Sequence, residues 1–266
     1  MTKVIALGAG HGYNTAGKRC IEELDPNQTR EWFMSDRIAD EVERDLTTNY
    51  DCKVIRLDDT TGKKDISLSK RVAAANKAKA IVCIEIHHDA GKYGNPGGGT
   101  TVFYYPTGDC KVVATKLYRD IINRTGLVGD RATPVRDGSH LYMIKKTAMP
   151  CFLIENGFMD SPDDVPVILT KAHAERTAKG IVTFLVEQYC LEQKKTCAET
   201  PSVLYYPACD KRYTTLAIAL SSIGVNSSFA YRKKIAAANN ITGYCGTATQ
   251  NTQMLNLLRA GLLKKV

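Results

Sequence analysis

Three short runs in this chain, Val4 to Leu7, Ile81 to Ile86 and Cys151 to Ile154, are apolar at nearly every position. A strand with one face in water alternates apolar and polar residues. A strand that does not alternate has both faces covered. Val54 to Leu57 and Thr100 to Tyr105 read as further strands. Between them lie segments with a helical period: Glu31 to Leu46 places Met34, Ile38, Val42 and Leu46 on one stripe, and Ser67 to Ala78, Val112 to Thr125 and Lys171 to Tyr189 follow the same pattern. Strands alternating with helices, the central strands apolar throughout, predict an α/β domain. Its central sheet is expected to be mixed but largely parallel, with helices on both faces.

The pattern changes after Tyr189. Residues 191–202, with Gln193-Lys194-Lys195-Thr196 and Glu199-Thr200-Pro201-Ser202, are polar and contain proline, as linkers do. Residues 203–266 then form a small, mainly helical piece with helices expected over 214–222, 229–238 and 247–258. At about 64 residues it is long enough to fold alone. The expected organisation is one domain over 1–190, a linker over 191–202 and a second domain over 203–266. Charge divides at the same place. From Leu191 to Val266 there are ten Lys/Arg against three Asp/Glu, a balance of +7, which leaves 26 against 25 for the first 190 residues. The excess points to an anionic partner for the last quarter alone.

Other classes are excluded more simply. No apolar run approaches the roughly 20 residues of a membrane span, so no membrane insertion is expected. Met1-Thr2-Lys3 runs into an apolar stretch too short for a signal-peptide core, so the chain is expected in the cytoplasm first. Nine cysteines at scattered spacing, with no C-x-x-C, read as reduced thiols. Gly8-x-Gly10 would suit a nucleotide phosphate only if a helix opened on it, but Tyr13 to Gln28, with Pro26, intervene. No nucleic acid is expected as a partner, and the expected form is a monomer or weak oligomer.

Five histidines are present, and two sit where α/β sheets place their sites, outside the carboxyl ends of strands. His11 follows the first strand through Gly8-Ala9-Gly10, and the doublet His87-His88 ends the run Ile81 to Ile86. Parity puts Ile84, Ile86 and His88 on one face and Glu85 and His87 on the other, without choosing between the two histidines. A metal site built on two histidines calls for a carboxylate, and Glu31 is the best placed. It lies in the first turn of a helix, after Thr29 as N-cap, on the same face as Met34 and Ile38. A solvated first-turn glutamate favoured by the helix dipole is the competing reading, and Glu22, Glu23 and Asp25 are weaker ligand candidates. Glu155 follows the apolar run Cys151 to Ile154. An acid there suits a general base or acid, or else a cap or structural ion pair.

Five segments together resemble the zinc-dependent N-acetylmuramoyl-L-alanine amidases of peptidoglycan, the branch with an α/β sheet found in bacterial autolysins and phage endolysins. They are GAGHG at 8–12, REWFMSDRIADEV at 30–42, RVAAANKAKAIVCIEIHHDA at 71–90, GTTVFYY at 99–105 and MPCFLIENGFMD at 149–160, in the family's order over about residues 3–188. Carried over residue by residue, the resemblance implies a Zn2+ cofactor held by His11, Glu31 and His87, with Glu155 as the catalytic residue. It thereby separates His87 from His88. Two departures stand out: Gly8 occupies the position, three before the first ligand, where the family commonly has an acid, and Glu85 and His88-Asp89 flank the second ligand where the family has Ser and Ala-Asn.

The implied reaction is hydrolysis of the amide between N-acetylmuramic acid and L-alanine. The Gly-rich segment Gly94 to Gly99 is read as a loop flanking the groove or simply a mobile one. The basic tail, with SFAYRKKIAAANNI and GTATQNTQMLNLLRAGLLKK, resembles the small wall-binding modules of phage lysins. Peptidoglycan is then the substrate, and an anionic polymer of a Gram-positive wall is the partner of the C-terminal domain. The whole reads as a phage endolysin; a bacterial autolysin or another zinc peptidase acting on wall peptides is the alternative.

Overall fold

The computed structural model describes residues 2–194 and 205–266, which form two compact units divided at Lys194. The first unit is built on a six-stranded sheet. Its strands are β1 (Lys3–Ala9), β2 (Cys52–Arg56), β3 (Val82–Asp89), β4 (Thr100–Tyr104), β5 (Val135–Asp137) and β6 (Cys151–Phe158), in the order β2-β1-β3-β6-β4-β5. The four strands β2, β1, β3 and β6 run parallel, β4 is antiparallel to β6, and β5 is parallel to β4. The sheet is thus mixed and largely parallel, and the unalternated runs lie at its centre, as burial on both faces requires.

One face carries the helices α1 (Glu31–Asn49), α3 (Cys110–Thr125) and α6 (Lys171–Gln188), packed on Ile5, Leu7, Ile84, Ile86, Phe152 and Ile154. The other face packs Ala6, Cys83, Cys151 and Leu153 against α2 (Leu68–Lys77) and α4 (Tyr142–Lys146). The stripe Met34, Ile38, Val42, Leu46 is buried as its spacing predicts. Each such aliphatic side chain contributes about 1.5–3 kcal/mol by leaving water. Two details differ from expectation. Arg30, not Thr29, is the residue before α1 and makes no side-chain cap; the Thr29 N–H instead donates to Asp25 Oδ2 at 2.6 Å. The elements β5, α4 and α5 (Val165–Ile168) span three to five residues, too short for a period to register in sequence.

Residues 191–194 belong to the first unit rather than to a linker. Leu191 is buried, Glu192 O accepts from the Asp51 N–H, and the Lys194 N–H donates to Asn49 O. The remainder of the expected linker, 195–202, lies outside the described residues. The second unit contains α7 (Leu216–Ser222), α8 (Phe229–Ala238) and α9 (Ala248–Arg259), close to the expected spans. They enclose a separate core of Leu216, Leu220, Ile235, Met254, Leu255 and Leu258. Thr247 caps α9 in a reciprocal arrangement with Gln250, which satisfies two otherwise free N–H groups. The eight described cysteines are free thiols.

Candidate active site

The site forms at the carboxyl ends of β1 and β3, against the first turn of α1. The Gly10 N–H donates to Ile86 O at 2.8 Å, so the turn after β1 stays tied to β3 and delivers His11 beside His87. Gly10 has to be small here, because a Cβ would overlap the His87 ring, 2.8 Å from its Cγ. His11 itself has φ of 65°, an uncommon left-handed conformation for a residue with a side chain. The two imidazoles meet edge to face with centroids 5.2 Å apart.

Glu31, the first residue of α1, is fully buried between them. Its Oε1 is 3.0 Å from His87 Nδ1 and accepts the His88 N–H at 3.2 Å; its Oε2 is 3.5 Å from His11 Nε2. One ligand atom from each of His11, Glu31 and His87 can be chosen so that all lie within 4.8 Å of one another. Around a tetrahedral zinc with bonds of about 2.0–2.1 Å, ligand atoms stand about 3.4 Å apart, which the two histidine–glutamate distances approach. Glu31 Oε2 has no hydrogen-bond partner despite complete burial. A buried carboxylate oxygen without a donor is costly, and a cation between the three side chains would remove that cost. The donor set, two imidazoles and a carboxylate with a fourth position free, is that of catalytic zinc sites. The residues present therefore fit the ion.

The electrostatics agree with this. Burial lowers the His11 pKa to about 4, so it is neutral, as a ligand must be. Burial also works against ionising Glu31 and His87. Their mutual hydrogen bond, together with the charges of His11 and Lys18 on Glu31 and of Glu85 and Glu155 on His87, outweighs it and favours Glu31 as carboxylate and His87 as imidazolium; a metal ion bound there would displace that proton. Lys18 Nζ, 3.7 Å from Glu31 Oε2, adds to the same side.

Glu155 is the register partner of His87 across β3 and β6 and of Thr101 across β6 and β4. It lies within its strand rather than at the strand's end, since β6 continues through Phe158. Its Oε2 has no partner, and desolvation raises its pKa to about 8. The upward push is the one expected of a carboxyl that follows a buried apolar run, and its cause is desolvation.

His88 turns away. A register shift after His87 separates the two residues, and His88 packs under α1 with Nδ1 3.1 Å from Ser35 Oγ. It is buried, and burial lowers its pKa to about 3. Its contribution to the site is its backbone N–H on Glu31. Asp89 pairs with Arg131 at 2.8 Å, and Arg131 also donates to Thr101 Oγ1 at 2.7 Å. The Gly94–Gly99 segment is tied down. The Gly97 N–H donates to Asp163 Oδ2, the Gly99 N–H to Asp164 Oδ2, and the Gly91 and Tyr93 N–H groups to Asp160 Oδ2, all at 2.7–2.8 Å. Gly97, Gly98 and Gly99 have φ of 90°, 137° and 86°, which only glycine adopts in succession. Arg71, Arg131 and the 160–164 acids were not read as site residues. An arginine on the inner stripe of a helix, as Arg71 is with Val72 and Ala75, was the available signal.

The chain matches the family model for N-acetylmuramoyl-L-alanine amidases over residues 5–187. The chain belongs to this family. The match ends within α6, and the second unit lies beyond it. An N-acetylmuramoyl-L-alanine amidase of Bacillus licheniformis is 30% identical over 134 residues, 50% of each chain. The endolysin of Bacillus phage SPP1 is 28% identical over 205 residues, 73% of this chain and 69% of that one. The chain thus spans half the length of the first relative. The catalytic domain of a Paenibacillus polymyxa amidase has the same fold, with a TM-score of 0.63 at 24% identity, covering 72% of this chain and all of that one. His11, Glu31, His87 and Glu155 all fall inside the part that carries the family.

Proposed function

We propose that the chain is a zinc-dependent peptidoglycan amidase that cleaves between N-acetylmuramic acid and L-alanine, with His11, Glu31 and His87 as ligands and Glu155 as general base and acid. The observation that carries this reading is the Glu31 carboxylate, buried with a free oxygen between two imidazoles, one strand from Glu155. Zinc bound there supplies Lewis acidity toward the scissile carbonyl and the attacking water. Glu155 takes the water's proton and returns it to the leaving amine of L-alanine. Burial raises its pKa to about 8 against the opposing charges of His87 and Lys18. Positive charge in the adjoining cluster draws it down toward neutrality, where one carboxyl both accepts and donates a proton. Asn156 Nδ2 donates to His87 O at 3.1 Å and holds the two strands in step at that point.

The second unit, whose residues 195–266 hold nine Lys/Arg against two Asp/Glu, a balance of +7, is the wall-binding module in this reading, drawn to anionic wall polymers. The reading includes an endolysin role, with the enzyme held in a host cytoplasm until the membrane is opened; the likeness to a phage protein named endolysin supports the role. Digestion of purified peptidoglycan tests the reaction: new L-alanine amino termini without new reducing sugars are expected. Glu155→Gln should retain zinc and lose about 10²–10⁴ in kcat. Near-normal turnover by that variant, or release of reducing sugars, would refute the assignment.

A further inference from the structure

The two departures at Gly8 and Glu85 are one feature in space. Gly8 and Glu85 are register partners in the parallel β1–β3 ladder, on the same face of the sheet. A Cβ on Gly8 would overlap the Glu85 carboxylate, 2.9 Å from its Cδ. Gly8 lies in a regular strand without positive φ, so glycine is needed there for space and not for conformation. The carboxylate of Glu85 fills the volume that an acidic side chain at position 8 would enter.

That carboxylate is completely buried, and its partners are few. Oε2 is 3.3 Å from Arg71 Nη1 and 3.8 Å from His87 Nε2, and Oε1 has no partner. Arg71, itself buried, donates from Nη1 to Ala9 O at 2.7 Å and from Nη2 to His11 O at 3.1 Å. It thereby holds the left-handed turn at His11. Its Nη2 is also 3.7 Å from Asp65 Oδ1, while Asp65 Oδ2 is 3.8 Å from His11 Nδ1. Each imidazole therefore shows one nitrogen to Glu31 and the other to a carboxylate, and Arg71 joins the two carboxylates. Carboxylates behind a histidine fix its tautomer and orientation toward a metal.

We infer that Glu85 is the positioning residue for both histidine ligands, acting on His87 through Nε2 and on His11 through Arg71, and that Gly8 leaves the space this placement requires. The inference rests on the proposed metal site, and its test separates the two. Zinc affinity is measured by chelator competition on the full chain, with folding of each metal-free variant checked by its circular-dichroism melt. Wild type should bind one zinc; if it binds none, the metal-site reading and this inference fall together. Glu85→Gln and Glu85→Ser should each weaken zinc about 10- to 100-fold. Gly8→Asp alone should weaken it as well, since two carboxylates then compete for one volume. Gly8→Asp combined with Glu85→Ser should recover at least half of the single-variant loss on a logarithmic scale. If Glu85→Ser does not fold, the nearly isosteric Glu85→Gln decides. Wild-type affinity in Glu85→Gln, or a double variant no better than Glu85→Ser, overturns the inference.

Discussion

His173 makes the first unit sensitive to acid in a way that can be measured. It lies on α6, 1% exposed, with Nε2 3.3 Å from Thr177 Oγ1 and Nδ1 without a partner. Burial, reinforced by the charges of Arg176 and Arg37, lowers its pKa from 6.5 to about 4. The unfolded chain therefore binds the proton more readily than the folded one. Its neutral-state stability is fully present above pH 6.5 and is lost as pH falls toward 4. Between pH 7 and pH 5 those two pKa values give a loss of about 2 kcal/mol from this one residue. His173→Gln keeps an amide near Thr177 and cannot titrate. Urea unfolding followed by the single tryptophan, Trp32, which sits in the first unit, reports that unit separately. The drop in stability from pH 7 to pH 5, measured in chelator, should be smaller in His173→Gln by about 2 kcal/mol. Equal drops in wild type and variant would refute the argument, because they would mean that His173 is protonated in the folded state at no cost.

Three further outcomes follow from the site and the surface. His87→Ala should lose zinc while His88→Ala keeps the ligand set and loses stability instead, since it removes a buried ring and its Ser35 hydrogen bond; metal content and melting temperature of the purified variants separate the two effects. Asp164→Ala should cost about 3 kcal/mol, from two backbone N–H groups, those of Gly99 and Phe158, that lose a charged acceptor, and hydrogen exchange should speed up at those two amides. Binding of the full chain to isolated Gram-positive walls should fall steeply between 0.05 and 0.5 M salt, as screening of the +7 segment requires; salt-independent pelleting would argue against charge as the basis of attachment.

Much of the fold was legible because its signals are local. Val4 to Leu7 and Cys151 to Ile154 lie in β1 and β6, and Ile81 leads into β3, because an unalternated apolar strand needs both faces covered. The stripe from Met34 to Leu46 needs only the helical period. Residues 126–148 gave no such signal. There β5 is a three-residue edge strand whose pairing with β4 is decided by the sheet, not by the sequence of Val135-Arg136-Asp137. Residues 191–194 looked like a linker by composition but are held by backbone hydrogen bonds to Asn49 and Asp51, which leave no trace in side-chain type.

The doublet at 87 and 88 shows where sequence reasoning about the site stops. Parity separated the two side chains, and the structure keeps that separation, His87 with Glu85 and His88 with Ile84 and Ile86. What parity does not contain is the backbone. The His88 N–H holds the same Glu31 oxygen that faces His87 Nδ1, so the residue that turns away still fixes the carboxylate its neighbour needs. A substitution at His88 should therefore reach the proposed metal site only if it moves the main chain. The side chain of Ser35, which anchors the His88 ring from α1, is then as relevant to the site as any residue lining it. Ser35→Ala leaves His88 Nδ1 buried without a partner, at a cost of about 1–3 kcal/mol. Any loss of zinc in that variant would measure how tightly the main chain at His88 is coupled to Glu31.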